Sequence, residues 1–228
     1  MAGEPAQLVL PFTRRPGYDA RDFLPAAANR EALAWLEATW PDRRLALWGP
    51  EGCGKSHLLH IWAERTGAQM LTGPTLTEQA LGDVAGMAQD GALTLDEADR
   101  GGAEVLLHLL NIARDRGLRL LLAARSAPSR WPVALPDLSS RLRAVAAVEI
   151  RPPDDALLAA LLTHLLSDRQ LSVPLPVQSW LLTRLPRSPA ALRAAVVLLD
   201  RASMETGRSI TRTFATELFR GGTDPGPL

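Results

Sequence analysis

Residues 49 to 56 read Gly-Pro-Glu-Gly-Cys-Gly-Lys-Ser, which is a glycine, four residues, then Gly-Lys-Ser. That order suits one task, the cradling of phosphate groups. Glycines let the backbone wrap an anion, and backbone N–H groups at the start of the next helix point at it. Lys55 is then placed to reach the outer phosphates, and the Ser56 hydroxyl to ligate Mg²⁺. The second chemical feature is "LTLDEAD", residues 93 to 99, in which paired acids follow an apolar run. Asp96 is suited to hold Mg²⁺ through water, and Glu97 to orient or deprotonate an attacking water. Asp99 reads as a helix cap. Lys55 stands out for another reason. The chain has 25 Lys plus Arg, and Lys55 is its only lysine. Where a cation only solvates a face the chain uses Arg, so position 55 calls for a compact ammonium on a flexible stem.

Positioning these groups requires a strand before the loop and a helix after it. The apolar run at 45–48 supplies the first, and the pattern at 56–65 the second. Further along, strand-like runs at 69–72, 92–95, 118–124 and 145–150 alternate with helical patterns at 76–88, 103–116 and 138–143. Such alternation predicts an α/β fold whose parallel sheet is covered on both faces. Upstream, 22–40 reads as helical. At 151–155, "RPPDD" reads as a linker followed by a helix N-terminus, and everything beyond is helical: 154–168, 177–185, 189–206 and 213–219. The expected organisation is an arm at 1–21, an α/β domain at 22–150, a small helical domain at 151–220 and a disordered tail at 221–228.

The bulk numbers narrow the class. With 228 residues and 46% hydrophobic content, the chain can build a substantial core. Zero formal net charge offers no field for nucleic acid, and no basic patch interleaves with aromatics, so strong direct DNA binding is not expected. One cysteine, Cys53, permits no intramolecular disulfide and fits a cytoplasmic protein. No apolar run approaches the ~20 residues of a membrane span, and the N-terminus does not read as a signal peptide. His57 and His60, three residues apart, lack a third ligand and read as packing residues, not a metal site. Trp35, Trp40, Trp48, Trp62 and Trp180 read as packing, while Trp131 in a Pro-flanked loop reads as exposed.

"GPEGCGKSHLLHIWA" resembles the phosphate loop and following helix of the replication initiator DnaA and its AAA+ relatives, with "SHLLH" its distinctive part. The resemblance extends over 22–219, through "FLPAAANREAL", "DLSSRLRAVAAVEI" and "EIRPPDDALLAALL". It implies an AAA+ P-loop NTPase fold with a five-stranded parallel sheet and a helical lid. It also implies ATP or ADP with Mg²⁺, bound by Gly49, Pro50, Glu51, Gly52, Cys53, Gly54, Lys55, Ser56 and His57, with Asn29 near the adenine. Arg141, in "SSRL", falls at the arginine finger, which AAA+ assemblies usually supply in trans; Arg143 competes for the role. The chain departs from the family twice. Arg125 or Ser126 stands where the sensor strand normally ends in a small polar or acidic residue. Ala190 stands where the lid arginine belongs, leaving Arg193, or less well Arg187, to replace it.

DnaA carries a DNA-reading domain after the lid, and none is expected here. The family members that fit are Hda-type regulatory inactivators of DnaA, which join an AAA+ module to an arm that binds the β subunit sliding clamp of DNA polymerase III. "QLVLPF" fits that arm's pattern: Gln7, Leu8, Leu10, Pro11 and Phe12 would meet the clamp as a short extended peptide. An edge strand is the competing reading of the same hexamer. The implied activity is negative regulation of replication initiation, in which the chain promotes hydrolysis of DnaA-bound ATP. Intrinsic ATPase activity and a homodimer both stay open. Two alternatives remain, a helicase-loader-like AAA+ adaptor acting on DNA or a helicase, and a metabolic P-loop kinase; the helical C-terminal part argues against the kinase.

Overall fold

A computed structural model describes Tyr18, Ala20 and residues 23–87 and 90–220. The arm hexamer at 7–12 and the tail at 221–228 lie outside the described residues. Five parallel strands form the sheet: β1 (Arg44–Trp48), β2 (Gln69–Thr72), β3 (Ala92–Asp96), β4 (Arg119–Ala124) and β5 (Ala146–Glu149), in the order β2-β3-β4-β1-β5. The alternation read from the sequence thus becomes a parallel α/β sheet. β1, β3 and β4 are buried almost throughout because helices cover both their faces, whereas the edge strands β2 and β5 keep partly exposed residues. The register sets Trp48 beside Ala124 and Leu95 beside Leu122. The carboxyl ends of β1, β4 and β3 therefore lie side by side, the place where open α/β sheets hold their ligands.

The connecting helices are α2 (Lys55–Thr66), α3 (Glu78–Ala85), α4 (Ala103–Asp115) and α5 (Pro136–Ala144). One core gathers β3, β4, α3, α4 and α5 around Leu93, Leu120 and Leu109; the other packs α2 and the pre-strand helix α1 (Arg30–Glu37) on the opposite face around Leu45, Leu58 and Trp62. The C-terminal region is all helical, with α6 (Asp155–Asp168), α7 (Leu175–Arg184), α8 (Pro189–Thr206) and α9 (Arg212–Arg220) around a separate core of Leu162, Leu181, Val196 and Phe214. Asp154 caps α6 by accepting the Leu157 N–H at 2.7 Å, which is what the acids after the two prolines predicted. Ser188 does the same for α8 at Ala191.

Three local expectations change. α1 covers only Arg30–Glu37, not 22–40. The Asn29 side chain explains it: Oδ1 accepts the Ala26 N–H at 2.8 Å and Nδ2 donates to the Leu24 carbonyl at 3.0 Å, so the backbone is tied into a turn before the helix can start. Trp131 is buried at 7% exposure, because a 3-10 turn at Pro128–Arg130 folds it inward and its Nε1 donates to the Ser126 carbonyl. Asp99 lies inside the 3-10 turn Ala98–Arg100 and caps no helix; its Oδ2 accepts the Arg125 N–H at 3.0 Å.

Candidate functional site

The phosphate loop runs from the end of β1 to the start of α2. Its first N–H, from Gly49, donates to the Ala124 carbonyl at 3.3 Å, which pins the loop to β4. At Gly52 the φ is +74°, and a Cβ would lie 2.7 Å from the Ser188 Cβ. The loop therefore runs directly under the start of α8, and only glycine fits there. The Lys55 Nζ donates to the Gly49 carbonyl at 2.8 Å and the Pro50 carbonyl at 2.7 Å, and lies 3.8 Å from the Cys53 Sγ. Its ammonium is thus turned into the bowl of the loop. Ser56 is half-buried in the first turn of α2. Burial pushes the Cys53 thiol up, and the neighbouring Lys55 charge offsets this in part.

The acidic pair sits at the end of β3. The Asp96 Oδ1 accepts the Glu97 N–H at 2.8 Å, and the Glu97 backbone takes a left-handed conformation with φ +47°. The Glu97 carboxylate pairs with the exposed Arg100 at 2.8 Å. β4 separates β3 from β1, so the two strand ends lie about 10 Å apart, as two interstrand spacings require. Arg125, the first residue after β4, bridges them: its backbone bonds Asp99, and its Nη2 donates to the Glu51 Oε2 of the phosphate loop at 2.9 Å.

A narrow cleft opens beside the loop, between the segment before α1 and the helical region. Phe23, Asn29, His57, Arg151, Leu157 and Arg193 are among its walls. Asn29 is 5% exposed and spends its amide on Leu24 and Ala26, so it shapes the cleft wall. His57 is 2% exposed, with Phe23 edge-on at 5.2 Å and Tyr18 at 5.5 Å. Arg193 reaches it from α8, with Nη2 3.0 Å from the His57 Nδ1. A guanidinium can only donate, so this bond assigns Nδ1 as acceptor. Arg187 pairs instead with Asp155 at 2.5 Å. His60 bonds the Ser56 carbonyl through Nδ1 at 2.7 Å and stacks on Tyr18. Among the described residues no group of three His, Cys, Asp or Glu side chains is placed to hold a metal. Sequence reasoning passed over Phe23, Arg151 and Leu157. "RPP" did mark one of the two bends that bring them here, whereas "FLP" lay in a stretch read as helix.

Arg141 is elsewhere. It lies near the end of α5, with 20% of its side chain exposed, held by both oxygens of Asp137 at 3.2 and 3.3 Å. α5 leads into β5, whose first residue, Ala146, pairs with Leu45 at the start of β1. Arg44, beside Leu45, senses it. Burial pulls the Arg44 guanidinium below the ordinary arginine range, Asp42 offsets this, and the charges of Arg141 and Arg114 add to it. Arg141 therefore sits at the amino ends of the strands, a strand length of about 13 Å from the edge that carries the phosphate loop. Arg143, two residues on, is exposed.

No family model matches the chain. An uncharacterized protein of Haemophilus influenzae is 28% identical over 184 residues, covering 76% of this chain and 80% of its own. Domain III of the Thermotoga maritima replication initiation protein DnaA superposes with a TM-score of 0.74 at 18% identity, over 90% of this chain and 96% of that one. Thermotoga maritima RuvB gives a TM-score of 0.66 at 16% identity, over 85% and 68%. AMPPCP-bound DnaA from Aquifex aeolicus gives 0.62 at 18%, over 80% and 65%. With its five parallel strands and C-terminal helices, the chain has the α/β fold of the AAA+ modules of DnaA and RuvB.

Proposed function

We propose that this chain is a nucleotide-binding regulator of replication initiation of the Hda type. It binds the polymerase III sliding clamp through Gln7, Leu8, Leu10, Pro11 and Phe12, and promotes hydrolysis of DnaA-bound ATP with Arg141 as a finger offered in trans. The position of Arg141 carries this reading. A guanidinium at the amino ends of the strands is far from the phosphate loop at their carboxyl ends, so any phosphate it served would belong to another molecule. Asp137 pre-orients the side chain, which lowers the ordering cost of contact. There the guanidinium would neutralise charge spreading over the γ-phosphate oxygens. DnaA is the expected partner, because its domain III has the same fold and a DnaA has been captured with a triphosphate analogue.

The chain's own site would hold ATP or ADP. Phosphate oxygens would replace the Gly49 and Pro50 carbonyls as partners of Lys55, and the N–H groups opening α2 would complete the anion site. The Ser56 hydroxyl and Asp96 carboxylate form an all-oxygen donor set suited to Mg²⁺, which supplies charge neutralisation between phosphates. Arg193 and His57 would join the two structural regions across the bound nucleotide.

The test is ATP hydrolysis by purified DnaA with the chain and DNA-loaded clamp. Stimulation should need the clamp. It should fall at least tenfold in Arg141→Ala, and be lost with clamp binding in Gln7→Ala with Phe12→Ala. Full stimulation by Arg141→Ala would remove the finger from that position. A salt-sensitive affinity for single-stranded DNA with no effect on DnaA would favour the helicase-loader reading instead.

A further inference from the structure

We infer that the recess between α1 and the amino ends of β1 and β4 is a binding site for a small aryl carboxylate, held by Arg119 and Arg43 with its ring against Trp40. The site lies at the end of the sheet away from the phosphate loop, and goes beyond the function proposed above.

The recess forms at a bend. α1 ends at Glu37, Ala38 and Trp40 are extended, and a 3-10 turn at Pro41–Arg43 leads into β1. In that turn Asp42 and Arg43 both take left-handed backbone, with φ +47° and +58°. Neither is glycine, so the pair is costly and persists only where its surroundings fix it. The turn carries the Arg43 guanidinium to the Asp90 carboxylate at 2.7 Å and to the rim of the recess. Leu36, Thr39, Trp40, Arg43 and Arg119 bound a volume of about 320 Å³, room for a small ligand.

The walls divide by chemistry. Leu36 and Trp40 supply apolar surface. Trp40 is 7% exposed and spends its Nε1 on the Trp35 carbonyl at 2.7 Å, so what it offers a ligand is carbon. Trp62 packs behind it, with ring centroids 5.1 Å apart, and the Arg119 guanidinium lies over Trp62 at 5.3 Å. A guanidinium stacked by its face keeps its N–H groups in the plane, where an oxyanion can take them. Among the described residues no carboxylate pairs with Arg119. Arg43 is paired with Asp90, but the two side chains are 44% and 70% exposed, and such a pair yields readily to a competing anion. The recess therefore offers about one uncompensated positive charge, which suits a monoanion. A carboxylate accepts two parallel N–H bonds from a guanidinium, and a planar ring attached to it would lie along Trp40 and Leu36.

The test follows the indole N–H signals of the full chain by NMR during titration with naphthoate. The Trp40 and Trp62 signals should shift saturably. Those of Trp48 and Trp131, beyond the carboxyl ends of the strands, and of Trp180, in the helical region, should stay in place. Naphthamide has the shape without the charge and acetate the charge without the ring; each should bind at least about tenfold more weakly. Arg119→Met keeps a stem against Trp62 but removes the charge, and should weaken naphthoate about tenfold; Arg43→Gln should weaken it about threefold. Unchanged Trp48, Trp131 and Trp180 signals in these variants report an intact fold. Lys55→Ala should bind naphthoate as the wild type does, so this site stands whether or not the phosphate loop binds nucleotide. The inference is overturned if naphthoate moves no indole signal or all of them alike, or if naphthamide binds as tightly. Binding that is unchanged in both arginine variants, or lost in Lys55→Ala, overturns it equally.

Discussion

Cys53 occupies the middle of the phosphate loop with its sulfur turned inward, 3.8 Å from the Lys55 ammonium. Two influences act on its thiol, and burial, the larger, raises its pKa. Because the thiolate is the reactive form, Cys53 should be sluggish at neutral pH even though it sits in the loop. Alkylation by iodoacetamide at pH 8 is expected to be about tenfold slower in the native chain than in urea, accelerating with pH beyond the range of an ordinary cysteine. Labelling as fast as in urea would show that the sulfur is not enclosed. The strand–loop–helix setting of Lys55 and Ser56 was legible from types and spacing alone, because that signal is local. Asp99 was not. Its partner is the N–H of Arg125, 26 positions away, and no local pattern announces it.

Among the elements, each expected strand appears within two residues of its place, since apolar runs bounded by turn residues report burial on both faces. α8 matches at both ends, where Ser188 and Gly207 carry their signals in sequence. The helix at 22–40 failed because helical spacing at Leu33, Leu36 and Trp40 says nothing of the Asn29 side chain that breaks the segment before it. The exposed reading of Trp131 failed because prolines mark a turn but not the direction its next side chain takes. One contact between elements is tight enough to test. A Cβ on Gly73, after β2, would lie 2.1 Å from the Glu97 carbonyl. Gly73→Ala must therefore displace the acidic turn, and is expected to cost about 1–3 kcal/mol in urea unfolding. An unchanged midpoint would show that the turn yields freely.

For the whole molecule, the cleft lies between two regions with separate cores. A ligand there ties them together. At a nucleotide concentration 100 times its dissociation constant, binding should stabilise the fold by about 2.7 kcal/mol. For a chain of this size that corresponds to about 5–10 °C in melting temperature. The shift should vanish in Lys55→Ala, whose side chain contributes the loop's ammonium; a shift of the same size in that variant would place the nucleotide outside the loop.

Arg141 and the phosphate loop, at opposite ends of the strands, give the molecule a direction. Contact through them joins unlike surfaces, one subunit's head against another's tail. A two-fold pair of copies satisfies both only by lying side by side and antiparallel, each guanidinium against the other copy's loop. Copies repeating head to tail would instead either close into a ring or leave an unmatched guanidinium at one end and an unmatched loop at the other. On the proposed role of Arg141, a different module with a matching loop could stand where the next copy would, and the row would then end on that module.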